Sequence, residues 1–143
     1  MSSYFIFITP VAIALTVQLI KAIIDAIKGK FNFSSFYKYG GMPSGHSAFV
    51  SSTITMLWLL EGPQSPVFAL AVILAIIVIR DAVSLRAHMG QHSKIINELI
   101  KKLPDDTEYS YPVLEESIGH TPMQVIAGLI TGVVLSLVAY YFI

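Results

Sequence analysis

Four long apolar stretches separated by polar segments set the pattern of this chain. The first covers 4–27 and the last covers 123–143, and each is long enough to cross about 30 Å of hydrocarbon at about 1.5 Å per residue. The two middle stretches cover 44–60 and 67–85. The pattern predicts an all-α, polytopic membrane helix bundle with about four transmembrane helices.

A more polar segment lies between the third and fourth apolar stretches. In 86–103 the apolar residues recur at helical spacing, which predicts an amphipathic helix at the end of the bundle where the third span leaves the membrane. The following segment, 104–119, is acidic and is predicted to be irregular. A chain of 143 residues is expected to form one membrane-embedded domain, 1–143.

The composition agrees with a membrane protein. Hydrophobic residues make up 55% of the chain and charged residues only 13%, which is too apolar for an ordinary soluble domain. The formal net charge is zero, so no general attraction to nucleic acid is expected. The chain has no cysteine, which excludes disulfides and a thiolate nucleophile.

Four spans would cross the membrane in alternating directions, and this places several polar groups at one membrane face. The residues expected there are Lys21, His46, Arg86, His88, His92 and His120. All nine lysines and arginines also lie at or near this face, and the positive-inside rule then predicts that it is cytoplasmic. If several of these cations bind phosphate, however, their clustering reflects chemistry rather than orientation.

The sequence Pro43-Ser44-Gly45-His46 opens the second apolar stretch. Ser44 is a good helix N-cap, and Gly45 lets a ligand approach the backbone closely. His46 then falls in the first helical turn, where unpaired N–H groups and the helix dipole attract an anion. This arrangement predicts phosphate chemistry at a membrane surface. The alternative is an ordinary serine-capped helix with a histidine on its surface.

Small and polar residues recur at helical spacing in two of the apolar stretches. The second stretch carries a polar stripe formed by Ser44, Ser47, Ser51 and Thr55. In lipid such a stripe is expected to face the interior of the bundle. Gly128 and Gly132 form a small-xxx-small pattern in the fourth stretch, which serves either packing within the chain or a homodimer.

A second group of candidate residues follows the third apolar stretch. Arg86 can hold two phosphoryl oxygens at once, and His92, six residues later, is a candidate nucleophile. Asn97 or Asp81 could orient the other ring nitrogen of that histidine. His88 lies four residues before His92, so a zinc site is an alternative, although no His-Glu-x-x-His motif is present.

Together these residues resemble the type-2 phosphatidic acid phosphatase and vanadium haloperoxidase superfamily, in particular its small divergent branch of membrane proteins. Pro43-Ser44-Gly45-His46 is similar to the second motif of the superfamily. Arg86 and His92 have the spacing of the third motif, and Gly119-His120-Thr121-Pro122 fits the divergent branch. The resemblance runs from the first span into the fourth.

The resemblance implies hydrolysis of a membrane lipid phosphate, without metal or other cofactor, in a bacterial cell membrane. By analogy His92 attacks phosphorus to form a phosphohistidine, and His46 protonates the leaving oxygen. The residues expected to hold the phosphoryl oxygens are Arg86, Lys21, Lys28, Ser44 and Gly45. Phosphatidate, phosphatidylglycerophosphate and polyprenyl (di)phosphate headgroups fit equally well.

The chain departs from the superfamily pattern in two motifs. Lys28 stands where the first motif has Arg-Pro, and Ile96 stands where the third motif has aspartate, with Asn97 next. A non-catalytic scaffold or lipid-binding protein of the same fold is therefore a second interpretation. His120 is expected either to contact substrate or to cap the fourth helix, and Asp81 is a further candidate for the site.

Overall fold

The computed structural model describes residues 4–29, 41–103, 111–116 and 118–142, most of them helical. The helices are α1 (Tyr4–Ile27), α2 (Gly45–Glu61), α3 (Pro66–Arg80), α4 (Arg86–Ile100) and α5 (Pro122–Phe142), with a π-helical turn (Asp81–Leu85) between α3 and α4. These ranges contain no strand, so the predicted all-α architecture is confirmed. Residues 104–110 and 117 of the predicted acidic segment lie outside the described residues.

Helix α2 lies at the centre and packs against α1, α3 and α5. Its polar stripe is buried, as the spacing predicts. The Ser51 hydroxyl donates to the carbonyl of Ala48 at 3.2 Å, and the Thr55 hydroxyl donates to the carbonyl of Ser51 at 2.8 Å. These bonds to the preceding turn satisfy both hydroxyls without water, so the stripe can face the interior of a membrane bundle.

The two glycines of α5 allow it to approach α2 closely. A Cβ atom at Gly132 would collide with the Ser51 hydroxyl and the Ala48 carbonyl, and one at Gly128 would collide with the Ser44 carbonyl. Close approach of helix backbones is the usual role of small residues in membrane bundles. Of the two roles that the spacing leaves open for these glycines, the structure shows packing within the chain, against α2.

The third span and the amphipathic helix are one continuous helix, Pro66–Ile100, of 35 residues. Two separate helices were expected, but 80–86 contains no glycine or proline, and both Asp81 and Arg86 have right-handed helical backbone angles. A helix of this length measures about 50 Å, against about 30 Å of hydrocarbon. With α3 in the apolar layer, the polar α4 projects beyond it.

Among the described residues, three helices are long and apolar enough to cross a membrane, namely Tyr4–Ile27, Pro66–Ile100 and Pro122–Phe142. Their outer faces expose large apolar side chains such as Leu15, Leu70 and Ile130. Helix α2 has 17 residues and is surrounded by the other helices. This is the architecture of an integral membrane protein, in which lipid covers the apolar exterior.

Candidate functional site

Four basic side chains meet at one end of the bundle, and each comes from a different segment of the chain. Lys21 is in the last turns of α1, His46 in the first turn of α2, Arg86 directly after the π-helical turn, and His120 directly before α5. They are close enough to interact electrostatically. The ring centroids of His46 and His120 are 6.2 Å apart and the rings are tilted by 59°. These four residues are called the basic cluster below.

A cavity of about 980 Å³ opens beside the basic cluster. This volume is at the upper end of the range of about 300–1,000 Å³ found for small-molecule sites. The cavity mixes positive, negative and neutral polar groups, and its polar lining includes Lys21, Asp25, Lys28, Glu116, His120 and Gln124. The cavity is therefore wide enough to admit a lipid headgroup and polar enough to bind it.

The N-terminus of α2 lies next to Lys21. A Cβ atom placed on Gly45 would be 4.0 Å from the Lys21 Nζ atom and 3.9 Å from the Gln18 Oε1 atom. The first N–H groups of any helix have no acceptor within that helix, and the dipole adds positive charge there. An ammonium group and a helix N-terminus together favour an oxyanion at this point.

Ser44 is the N-cap of α2, as expected, but its position corrects its assignment as a phosphate ligand. The Ser44 Oγ atom accepts from the backbone N–H of Ser47 at 3.4 Å and from the Ser47 hydroxyl at 3.0 Å. Ser44 is fully buried. Its hydroxyl is therefore used in the cap and does not reach the cavity.

Arg86 is held across the π-helical turn by Asp81. The Arg86 Nε atom donates to the Asp81 Oδ2 atom at 3.0 Å, and the two residues are five positions apart in the chain. Turns of this kind occur frequently at functional sites in helices. The arginine side chain remains 25% exposed, so the ion pair orients the guanidinium group without burying it.

His120 is held by its backbone against the same turn. Its N–H donates to the carbonyl of Ala82 at 3.1 Å, and the residue is only 7% exposed. The preceding Gly119 has a φ of 124°, and a Cβ atom there would lie 2.9 Å from the backbone nitrogen of Ala87. Only glycine combines this backbone conformation with such a close approach, so Gly119 brings His120 beside α4.

The sequence reasoning missed Gln124, which completes a capping box at the start of α5. The Gln124 N–H donates to the Thr121 hydroxyl at 3.4 Å, and the Thr121 N–H donates to the Gln124 Oε1 atom at 3.1 Å. The pattern Thr-x-x-Gln with proline after the threonine could have revealed it. His120 was expected either to contact substrate or to cap the fourth helix, and the structure gives the capping role to Thr121 and Gln124.

The surroundings of His120 favour the neutral ring. Burial lowers its pKa most strongly, and a hydrogen bond with the Gln124 side chain opposes this by raising the pKa. The positive charges of Lys21, His46 and Arg86 lower the pKa further. A neutral imidazole keeps a lone pair on one ring nitrogen, as a nucleophile or a base requires.

The structure does not bring His92 to the basic cluster. Helix α4 turns Ala87 and Gly90 toward the segment before α5, where they contact Gly119 and the backbone of Glu116. His92 comes five residues after Ala87, which rotates it by about 140° around the helix. It is exposed on that other face of the helix.

Asn97 has a different role from the one expected. Its Nδ2 group donates to the Leu114 carbonyl at 2.9 Å and to the Glu116 Oε1 atom at 2.8 Å. Its Oδ1 atom accepts from the Leu114 N–H at 2.9 Å. Because Asn97 follows His92 by five residues, it lies on another face of the helix. This corrects its assignment as the partner of His92, since it fastens 111–116 to α4.

The structure also bears on the alternative of a zinc site. Within the described ranges, no group of three or more His, Cys, Asp or Glu residues is placed to hold a metal ion. His88 and His92, four residues apart, are both exposed on α4.

Comparison with known proteins agrees with the architecture. The sequence profile described as the divergent PAP2 family matches residues 2–135, nearly the whole chain. This chain belongs to the divergent PAP2 family. It is also similar to the uncharacterized membrane protein YuiD of Bacillus subtilis (strain 168), with 36% identity over 137 residues covering 87% of each chain. No solved structure matches the chain. Membership in the family indicates a relationship to phosphatases within an integral membrane protein.

Proposed function

We propose that this protein hydrolyses the phosphate ester of a membrane lipid at the basic cluster, without a metal ion. The observation that carries the proposal is the meeting of Lys21, His46, Arg86 and His120 at one place, beside a cavity that Lys21 and His120 line. Phosphoryl transfer without a metal needs cations to hold the oxygens, a nucleophile, and an acid for the leaving group. Two long cationic side chains and two imidazoles supply these functions.

The phosphoryl oxygens are bound between Lys21 and the N-terminus of α2, where Gly45 leaves room for close approach. Arg86, anchored by Asp81, adds a guanidinium group that can hold two oxygens at once. Lys28 lines the same cavity and adds positive charge. His46 protonates the leaving oxygen, as the family resemblance implies.

A lipid is the favoured substrate because the cavity lies at the polar end of an apolar bundle. The acyl or prenyl chain can remain in the hydrocarbon beside the exposed apolar faces of α1 and α3 while the headgroup enters the cavity. Lipid phosphomonoesters and diphosphates present the same terminal phosphoryl group. Phosphatidate, phosphatidylglycerophosphate and polyprenyl (di)phosphate are therefore the substrates to test.

A second candidate function is binding of a lipid phosphate without turnover. The position of His92 favours it, because the residue that the resemblance makes the nucleophile lies away from the basic cluster. Asn97, which follows the third motif, is engaged with 111–116. This function needs only the cations and the helix N-terminus of the same site.

The proposal is tested by measuring the inorganic phosphate that detergent-purified protein releases from a panel of these lipids. We expect turnover of at least one lipid phosphate, its loss in His46→Ala, and its survival in a chelator. His88→Ala is the matched control, because this histidine is exposed on α4 outside the site. Saturable binding without turnover would favour the second function. Turnover lost with chelator and restored by zinc would contradict the metal-independent mechanism.

A further inference from the structure

The hydrogen bonds of Gln124 determine which nitrogen of His120 carries the proton. The Gln124 Oε1 atom lies 3.1 Å from the Thr121 backbone nitrogen and 3.2 Å from the His120 Nδ1 atom. A backbone N–H can only donate, so the side-chain atom facing it must be the amide oxygen and not the amide nitrogen. The same oxygen must then accept from His120, and Nδ1 therefore carries the hydrogen.

A neutral histidine protonated on Nδ1 has its lone pair on Nε2. We propose that His120 is the nucleophile of this protein and attacks phosphorus through Nε2, with Gln124 as the positioning residue that holds the tautomer. This inference rests on the proposed lipid phosphate hydrolysis and names the attacking group. It assigns to the segment before α5 the function that the resemblance implies for His92.

The position of His120 suits this role. The residue is buried, its backbone is bonded to Ala82, and its ring centroid is 6.2 Å from that of His46. Reacting atoms need to stand about 3–3.5 Å apart before attack. The two rings are close enough for both to reach one phosphoryl group bound beside them, with Lys21 and Arg86 near enough to act on its charge.

The electrostatic surroundings keep His120 neutral while concentrating positive charge around the substrate. The charged groups near the ring are Lys21, Arg86 and, when protonated, His46. Asp81 is paired with Arg86, and the carboxylates of Asp25 and Glu116 line the same cavity. The cations favour a dianionic phosphate and disfavour protonation of His120, so the site attracts its substrate without inactivating the nucleophile.

The reaction balances in two steps. In the first, the Nε2 lone pair of His120 forms a bond to phosphorus, the bond between phosphorus and the lipid oxygen breaks, and protonated His46 gives its proton to that oxygen. The lipid alcohol leaves, and His120 carries the phosphoryl group while Nδ1–H still donates to Gln124. In the second, water attacks phosphorus, His46 takes its proton, and the bond to Nε2 breaks to release inorganic phosphate.

The decisive experiment compares His120→Asn, His92→Ala and the His88→Ala control on a lipid phosphate that the wild type hydrolyses. The asparagine amide can still donate to Gln124, so this variant removes Nε2 with the least disturbance. We expect turnover to fall at least a hundredfold in His120→Asn and to stay within twofold of wild type in the other two. Thermal unfolding in detergent confirms that each variant is folded.

A denaturing quench during turnover of a lipid labelled in the phosphoryl group identifies the attacking residue. Acid-labile, alkali-stable label is expected on the peptide that contains His120. Label on His92, no label on His120, or turnover surviving in His120→Asn would overturn the assignment while leaving the hydrolytic function intact. Absence of wild-type turnover on every lipid tested would overturn both.

Gln124 provides a second test that a merely structural role would not pass. Gln124→Glu keeps an oxygen that accepts from both His120 and Thr121, whereas Gln124→Met removes it. We expect Gln124→Met to lower kcat at least tenfold with little change in KM, and Gln124→Glu to restore most of it. The added carboxylate should also move the acidic limb of the pH profile upward. Equal activity in wild type and Gln124→Met would contradict the positioning role.

Discussion

Helix α4 and the short segment before α5 each carry a histidine that the sequence offers for catalysis, and they place it in opposite environments. His92 lies on a regular helix and is exposed. It faces away from Ala87 and Gly90, the residues of α4 that contact the segment before α5. His120 lies in a non-helical segment and is 7% exposed. Its backbone N–H donates to Ala82 in the π-helical turn, and its ring bonds to Gln124 of α5.

The difference shows that the directions of two side chains at a given sequence spacing depend on the backbone conformation between them. Six residues from Arg86 to His92 along a continuous α-helix amount to about 240° of rotation, so the two side chains leave the helix in directions about 120° apart. A residue in a turn fixed by a positive-φ glycine has no such restriction. The non-helical segment can therefore deliver a side chain that the helix cannot.

The largest effect that would sharpen this comparison is expected from Arg86→Met. Loss of a preorganised cation at a phosphoryl group should lower kcat/KM about a hundredfold to a thousandfold. Arg80→Met is the matched control, because Arg80 is exposed on the same continuous helix. The measurement is released phosphate from the best lipid of the panel. Equal losses in the two variants would show that the effect is general charge rather than a specific contact.

A smaller effect, of about tenfold on kcat, is expected from Gly119→Ala. The new Cβ atom would meet the backbone of Ala87, and the backbone at this φ of 124° is unfavourable for alanine, so His120 should move. Gly62→Ala carries similar backbone strain, with a φ of 83°, but has open space around it. Its kcat should stay near that of wild type. A Gly119→Ala enzyme with full activity would show that His120 does not need this anchor.

Asn97→Ala tests the attachment of 111–116 to α4. It removes three hydrogen bonds and leaves the half-buried Leu114 backbone without its partner, which should cost about 1–3 kcal/mol of stability. Thermal unfolding in detergent measures this loss, and activity should fall only a few-fold at low temperature. Glu98→Ala, an exposed neighbour, should leave stability unchanged. If Asn97→Ala abolished catalysis without destabilising the protein, a direct role beside His92 would return.

The smallest effect concerns pH. Because the pKa of His120 is lowered from 6.5 in the folded protein, the unfolded chain binds more protons between the lowered value and 6.5. Stability is therefore expected to fall as pH drops through this window, and less so in His120→Asn. The acidic limb of kcat/KM should likewise lie below pH 6.5. A limb above that value would contradict the neutral ring.

Much of the fold was predictable from the order of apolar and polar residues. The long apolar stretches predicted the helices, and the spacing of the polar stripe predicted the buried face of α2. The sequence predicts two helices where the structure has one, α3 continuing into α4, because the change from apolar to polar residues indicates a boundary although no residue there ends a helix. A helix can pass from apolar to polar surroundings without a break in its backbone.

The sequence alone determined the membrane bundle and the serine-capped start of α2, because hydropathy and capping are local properties. It also predicted, from the number of spans, that Lys21, His46, Arg86 and His120 lie toward one face. Only the tertiary structure decided which histidine joins the cluster. That choice depends on the rotation of α4 about its axis and on the backbone hydrogen bond of His120 to Ala82. Both arise from contacts between distant segments, which no spacing within a single segment encodes.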